Sequence, residues 1–263
     1  AETPIEGTKS ATRGAVSVPR LAIAVPAALI AVAIPALGSS GLMLGWAYLA
    51  ATVAVAAWIA PSRQGQQTVT FGLSLPLAFL LLVAYFVAIG TVASFANVPL
   101  WAGRVGGLLT WCGAMLFVVA GSYYRRGRIA FTGRDWPPIT ALLVTWAIGI
   151  LVAATVPVEI MVRNVGGGTD FNRHLILMRQ VADEGVLTYS QEEYPRGIHA
   201  ALAPLWSATG VTRYLAGWLA LESFLWLILA LLVTACVVAV VRVGPVIGLP
   251  RVLTGVLAPL LAM

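Results

Sequence analysis

Asp170 and His174 stand four residues apart, so a helix through them carries a carboxylate and an imidazole on one face, with Arg173 beside them. A carboxylate that begins a helix at a membrane surface can act as a general base or hold a cation. It can equally be a helix-terminal charge, because an acidic residue in a first turn stabilises a helix by a few tenths of a kcal/mol to about 1 kcal/mol. His174 adds a second titratable group one turn on, but an Asp-x-x-x-His pair supplies only two ligands and does not define a metal site. His199 follows Tyr194-Pro195-Arg196-Gly197. It returns to the Asp170 side if the two short helices of this region pack together, and is otherwise an interfacial histidine. Arg173 and Arg196 each offer a planar guanidinium fork suited to a phosphate. Glu222 lies about eight residues into a long apolar run with no basic neighbour in sequence. An ionisable group at that depth costs a few kcal/mol unless it faces a polar cavity or a partner, so it is either a functional group or a hydrogen-bonding link to another helix.

The elements that must position these residues are set by composition. The chain is 60% hydrophobic and 10% charged over 263 residues, outside the range of a soluble domain and inside that of a polytopic membrane protein. Its net charge of +6 is carried by residues lying between apolar runs, not in one patch with interleaved aromatics, which excludes a nucleic-acid reading. Cys112 and Cys236 both fall inside apolar runs and read as small core residues. The sequence shows no glycine-rich phosphate loop, zinc signature or serine-hydrolase elbow.

A bilayer core takes about 20 apolar residues per helix. Six runs meet that length, at 21–38, 41–60, 70–95, 105–124, 138–158 and 214–241. The first follows a polar segment without a convincing cleavage site and reads as a retained span. A seventh begins near Leu249 and reaches Met263 after about 15 residues, too short to cross, so the chain reads as the front part of a longer protein. Basic residues in short loops are retained on the cytoplasmic side. Arg125, Arg126, Arg128 and Arg134 against the single Asp135 therefore place the 121–137 connection inside, and alternation puts the N-terminus inside with Lys9, Arg13 and Arg20. Trp101, Trp136 and Trp146 fit interfacial aromatic positions.

In that frame 159–196 lies outside, and it is much longer than any other connection. Gly166, Gly167 and Gly168 approach Thr169, a natural N-cap, and 170–184 reads as an amphipathic helix closed by Gly185. Phe171, Leu175, Met178 and Ala182 make one apolar stripe that can lie on membrane-embedded helices or at the lipid interface. Tyr194-Pro195 forces an extended or turn conformation before a second short helix over 197–207, which is expected to lie along the bilayer surface.

The order of these features resembles the first large loop of the GT-C superfamily of polytopic membrane glycosyltransferases. The features are Gly167-Gly168-Thr169-Asp170 with His174, a short amphipathic helix, Tyr194-Pro195-Arg196-Gly197-Ile198-His199 and a further membrane helix. The similarity covers roughly 138–241 and is nearest to actinobacterial members with an Asp-x-x-x-His and a Tyr-Pro-x-Gly-x-His pattern. The resemblance implies transfer of a sugar from a polyprenyl-phosphate donor to an extracytoplasmic acceptor, a cell-envelope glycan or lipid, with Asp170 as base.

The expected architecture is thus an all-α bundle of six full spans and the start of a seventh. A four-span module, 1–137, precedes the beginning of a GT-C-like module, 138–263, whose loop 159–213 is extracytoplasmic at the plasma membrane. Asp170 and His174 are the catalytic candidates. Arg173, Tyr194, Arg196, His199 and Glu222 are the substrate-binding ones. The sequence singles out no cofactor, and a divalent cation stays open. Two rivals remain: a transporter or flippase in which Glu222 and the loop charges line a path, and a non-catalytic subunit that scaffolds a partner.

Overall fold

A backbone in hydrocarbon must satisfy its own N–H and C=O groups, and the apolar runs of this chain do so by forming helices. The computed structural model describes residues 16–38, 41–61, 70–155, 168–185, 197–210 and 214–243. Five helices are long and apolar enough to cross a membrane: α2 (Gly41–Ile59), α3 (Phe71–Phe95), α4 (Gly103–Tyr124), α5 (Trp136–Thr155) and α8 (Tyr214–Val243). The first expected span forms the shorter α1 (Arg20–Ala36), 17 residues that lie against α2 and α4. The run from Leu249 lies outside the described residues. Between α5 and α8 come α6 (Gly168–Glu184) and α7 (Gly197–Thr209). Leu80, Leu109, Leu116, Leu151 and Leu232 are exposed on the bundle's flanks, as side chains that meet lipid should be. The protein is membrane-embedded.

The helices before and after residue 137 are interleaved. α8 packs on α2 as well as on α5, and α7 packs on α3 and α4 as well as on α6. Glycines allow the closest approaches: the indole of Trp226 on α8 lies over Gly149 on α5, and Trp146 on α5 lies over Gly45 on α2.

One end of the bundle carries a small ribbon that the all-helical expectation did not contain. β1 (Val16–Pro19) pairs antiparallel with β2 (Arg128–Phe131), Val16 opposite Phe131 and Pro19 opposite Arg128. The segment before α1 and the α4–α5 connection therefore share one end of the molecule, called basal below. Arg20 continues from the ribbon and donates through its guanidinium to the carbonyls of Ala57, Trp58 (2.6 Å) and Ala60 (2.6 Å) at the C-terminus of α2. A cation there complements the negative end of the helix dipole. Asp135 is fully buried at the same end. One carboxylate oxygen accepts from the Gly72 N–H at 2.9 Å, and the other from the Thr132 N–H at 2.8 Å and hydroxyl at 2.9 Å.

Expectations about four residues are corrected. Trp136 is exposed, but Trp101 and Trp146 are fully buried and belong to the core, not to an interfacial belt. Trp146 falls midway along α5, where the helix face turned toward α2 decides its environment. Cys236 is exposed on the side of α8 and Cys112 is half-buried, so neither is a core residue. A helix in lipid can leave a small apolar side chain facing outward without penalty.

Candidate functional site

The opposite end of the bundle, where α4 and α8 begin, carries α6 and α7. α6 is amphipathic: Leu175, Met178 and Ala182 of the expected stripe are buried, joined by Leu177 and Val181. The other face carries the exposed Arg173 and an Arg179–Asp183 pair at 3.6 Å. The helix starts at Gly168, so Thr169 lies inside its first turn instead of preceding it. It ends at Gly185, whose φ of +72° is the left-handed conformation that stops a helix. Trp101, in the α3–α4 connection, fixes that end. Its indole N–H donates to the Val181 carbonyl at 3.0 Å, and a Cβ on Gly185 would press on Ala102.

The second short helix does not lie along a surface. Ala200 to Thr209 of α7 are all buried, with α3, α4 and α6 around them. Composition explains the placement. Ala200, Ala201, Ala203 and Ala208 are fully buried, and small side chains let backbones approach. On α4 the facing residue is Gly107, where a Cβ would lie 2.6 Å from the Pro204 carbonyl oxygen and 2.7 Å from Ser207 Cβ. The Tyr48 hydroxyl of α2 donates to the Ala201 carbonyl at 3.1 Å, and the Ser207 hydroxyl donates to the Ala182 carbonyl at 3.2 Å, tying α7 to α6. A helix too short to cross a bilayer is thus held within the bundle by polar contacts from helices on both sides.

This packing brings together the two histidines of the chain. Nδ1 of His174 lies 3.1 Å from Nε2 of His199, with the rings stacked at a centroid separation of 5.2 Å and an interplanar angle of 25°. His199 is fully buried and His174 half-buried. One imidazole donates and the other accepts, so each ring fixes the tautomer and plane of its partner. Of the two alternatives open in the sequence, the contact fits the one in which the two short helices pack together.

Asp170 falls in the first turn of α6, one turn before His174, but its side chain lies outside the described residues, as do Tyr194 and Arg196. Among the described residues no three His, Cys, Asp or Glu side chains are grouped to hold a metal.

Glu222 sits elsewhere. It is 5% exposed, on the stripe of α8 from which Trp226 reaches α5. Neither carboxyl oxygen completes a hydrogen bond among the described residues. Its neighbour Ser223 turns to α2, where its hydroxyl accepts from the Gly45 N–H at 3.2 Å. Glu222 therefore does not face lipid, and it does not join the histidine pair.

Sequence reasoning missed Tyr48, and the donor role of Trp101, the two residues that seat α7 and α6. Each sits in an apolar stretch far from its acceptor in sequence, so no local spacing marks it. No family model matches the chain, and neither a curated protein nor a solved structure matches it.

Proposed function

We propose that this protein is a membrane glycosyltransferase that moves a sugar from a polyprenyl-phosphate donor to an extracytoplasmic acceptor, a cell-envelope glycan or lipid. The observation that carries the reading is the 3.1 Å contact between His174 and His199. It brings together His174 and His199, one histidine from each of the two patterns Asp170-x-x-x-His174 and Tyr194-Pro195-x-Gly197-x-His199. A meeting of the two histidines is what a shared site calls for, whereas a scaffold does not require it.

In this reading α1 is the first of six spans, the basal end is cytoplasmic and α6 and α7 stand on the outer side of the plasma membrane. Asp170 takes the proton of an acceptor hydroxyl as that oxygen forms a bond to the anomeric carbon. The bond from the anomeric carbon to the donor phosphate oxygen breaks, and the lipid phosphate leaves with its electron pair. His174, one turn from Asp170, orients the carboxylate, and His199 is a positioning residue that holds the His174 ring from behind. Arg173 and Arg196 are the cations suited to the leaving phosphate, and Tyr194 completes the proposed substrate contacts, while Glu222, which is not grouped with the two histidines, takes no part in this step. A divalent cation at Asp170 is compatible with this scheme but supplies none of its proton transfers.

The buried carboxyl of Glu222, which completes no hydrogen bond among the described residues, favours a second reading, a transporter whose path runs beside α5 and α8. Full-length protein in lipid nanodiscs, given radiolabelled sugars on polyprenyl phosphate and membrane acceptors, separates the two. Label moving into an acceptor supports the transferase. Intact donor crossing a sealed vesicle, with no transfer, supports the transporter.

A further inference from the structure

At the basal end, α2, α3 and α4 leave between them an apolar groove of about 440 Å³, with Leu81, Ala84, Tyr85 and Phe117 on its exposed walls and Arg125 at its end. A second cavity, of about 550 Å³, continues from it through the shared Ile59 and Arg125 and is bordered by Arg20, Tyr124 and Arg126. The groove opens on the flank of membrane-spanning helices, where lipid is the solvent. Its basic end is over-supplied with charge. Arg20 already caps α2 with two of its nitrogens, and its Nε is buried with no acceptor among the described residues. Arg125 adds a 3.3 Å contact to the Trp58 carbonyl and acts on Arg20 as a like charge, while Arg126 lies over the Tyr123 ring at 5.5 Å. Among the described residues no carboxylate pairs with any of the three.

We propose that this groove binds an anionic membrane phospholipid, its acyl chain between α2, α3 and α4 and its phosphate on Arg125 and Arg126. A free anion satisfies the arginines and leaves the groove to other lipids. A neutral lipid fills the groove and leaves the arginines without a counter-charge. Only a ligand that joins a negative head to an apolar tail answers both. The site is independent of the glycosyltransferase reading. Arg125 follows the last residue of α4, whereas Gly107 near its start touches α7, and the 22 residues of α4 rise about 33 Å.

The test is native mass spectrometry of the full-length protein, stripped of lipid in detergent and titrated with phosphatidylglycerol, phosphatidylcholine of the same chains, or inorganic phosphate. Phosphatidylglycerol should be retained in preference. Arg125→Gln with Arg126→Gln should weaken it by roughly tenfold or more, while Arg104→Gln with Arg134→Gln, which removes the same charge elsewhere, should stay within roughly twofold. Ala84→Trp fills the groove without touching an arginine and should also weaken retention, so the proposal stays testable if the arginine pair cannot be purified. Equal retention of the two lipids, an equal loss in the control pair, displacement of the lipid by inorganic phosphate, or unchanged retention in Ala84→Trp would each overturn the proposal.

Discussion

His174 and His199, 25 residues apart in the chain, share one hydrogen bond between stacked rings, and this contact ties an amphipathic helix to one buried within the bundle. Because His199 has no solvent exposure, removing the His174 ring leaves it short of a hydrogen bond that water cannot easily replace. A double-mutant cycle with His174→Ala and His199→Ala, read by unfolding in detergent, should give a coupling of about 0.5–3 kcal/mol. Strict additivity would mean that the two rings are neighbours without being partners.

The seating of α7 depends on a missing side chain. Gly107→Ala puts a Cβ against the Pro204 carbonyl oxygen and Ser207, which are held by backbone and cannot swing away. Forcing α4 from α7 should destabilise the protein by about 1–3 kcal/mol. Gly113→Ala, on the same helix with nothing within 4 Å of the added Cβ, should be neutral or slightly stabilising. Equal thermal stability of the two variants would show that α4 and α7 are not in close contact.

Asp135 is the buried latch of the basal end, with one oxygen on Gly72 and the other on Thr132. Asp135→Asn keeps the shape but turns an NH2 group toward one of these N–H donors, leaving a buried donor unpaired. A loss of about 1–3 kcal/mol is expected. Thermal melts of purified protein check it, and an unshifted melting temperature would show that the latch does not hold the α3 and α5 starts together.

Much of the bundle was legible in the sequence because lipid leaves few choices: a long uncharged run becomes a helix, and Gly185 stops α6 where a left-handed residue is needed. The stripe of Leu175, Met178 and Ala182 was legible for the same reason, as a period that admits one buried face. The depth of α7 was not. Thirteen residues rich in alanine suit a surface helix or a buried one, and the choice rests on Gly107, a small residue on a distant helix, and on Tyr48, a donor 153 residues away in sequence. The same limit hid the β1–β2 ribbon, whose strands are four residues each and too short for a periodic signal. For the site, spacing alone put His174 one turn from Asp170, but the meeting with His199 required a tertiary contact. Glu222 was recognisable as a residue unsuited to lipid, while its separation from the histidines depends on which helix α8 turns toward.

The ribbon puts the residues before α1 and the α4–α5 connection at one end, so both must lie on one side of the membrane. With Cys112 and Cys236 replaced by alanine, a cysteine at Gly133, which is exposed, should resist a membrane-impermeant thiol reagent in intact cells, and one at Ser190 should react. The reverse pattern would turn the proposed topology inside out and remove α6 and α7 from the outer face.

The central claim is that Asp170 accepts the proton in a lipid-linked sugar transfer, and Asp170→Asn tests it most directly. Asparagine keeps the size of the side chain and can still serve at a helix start, but it cannot take a proton, so folding should be retained while transfer falls on the order of 10²-fold or more. The measurement is the initial rate of label moving from polyprenyl-phosphate sugar to acceptor, for parent and variant proteins of matched melting temperature. A fall of that size at unchanged stability is the expected result, with His174→Ala showing a smaller fall if it only orients the carboxylate. Transfer by Asp170→Asn at the parent rate would contradict the account and return Asp170 to a charge at the end of a helix.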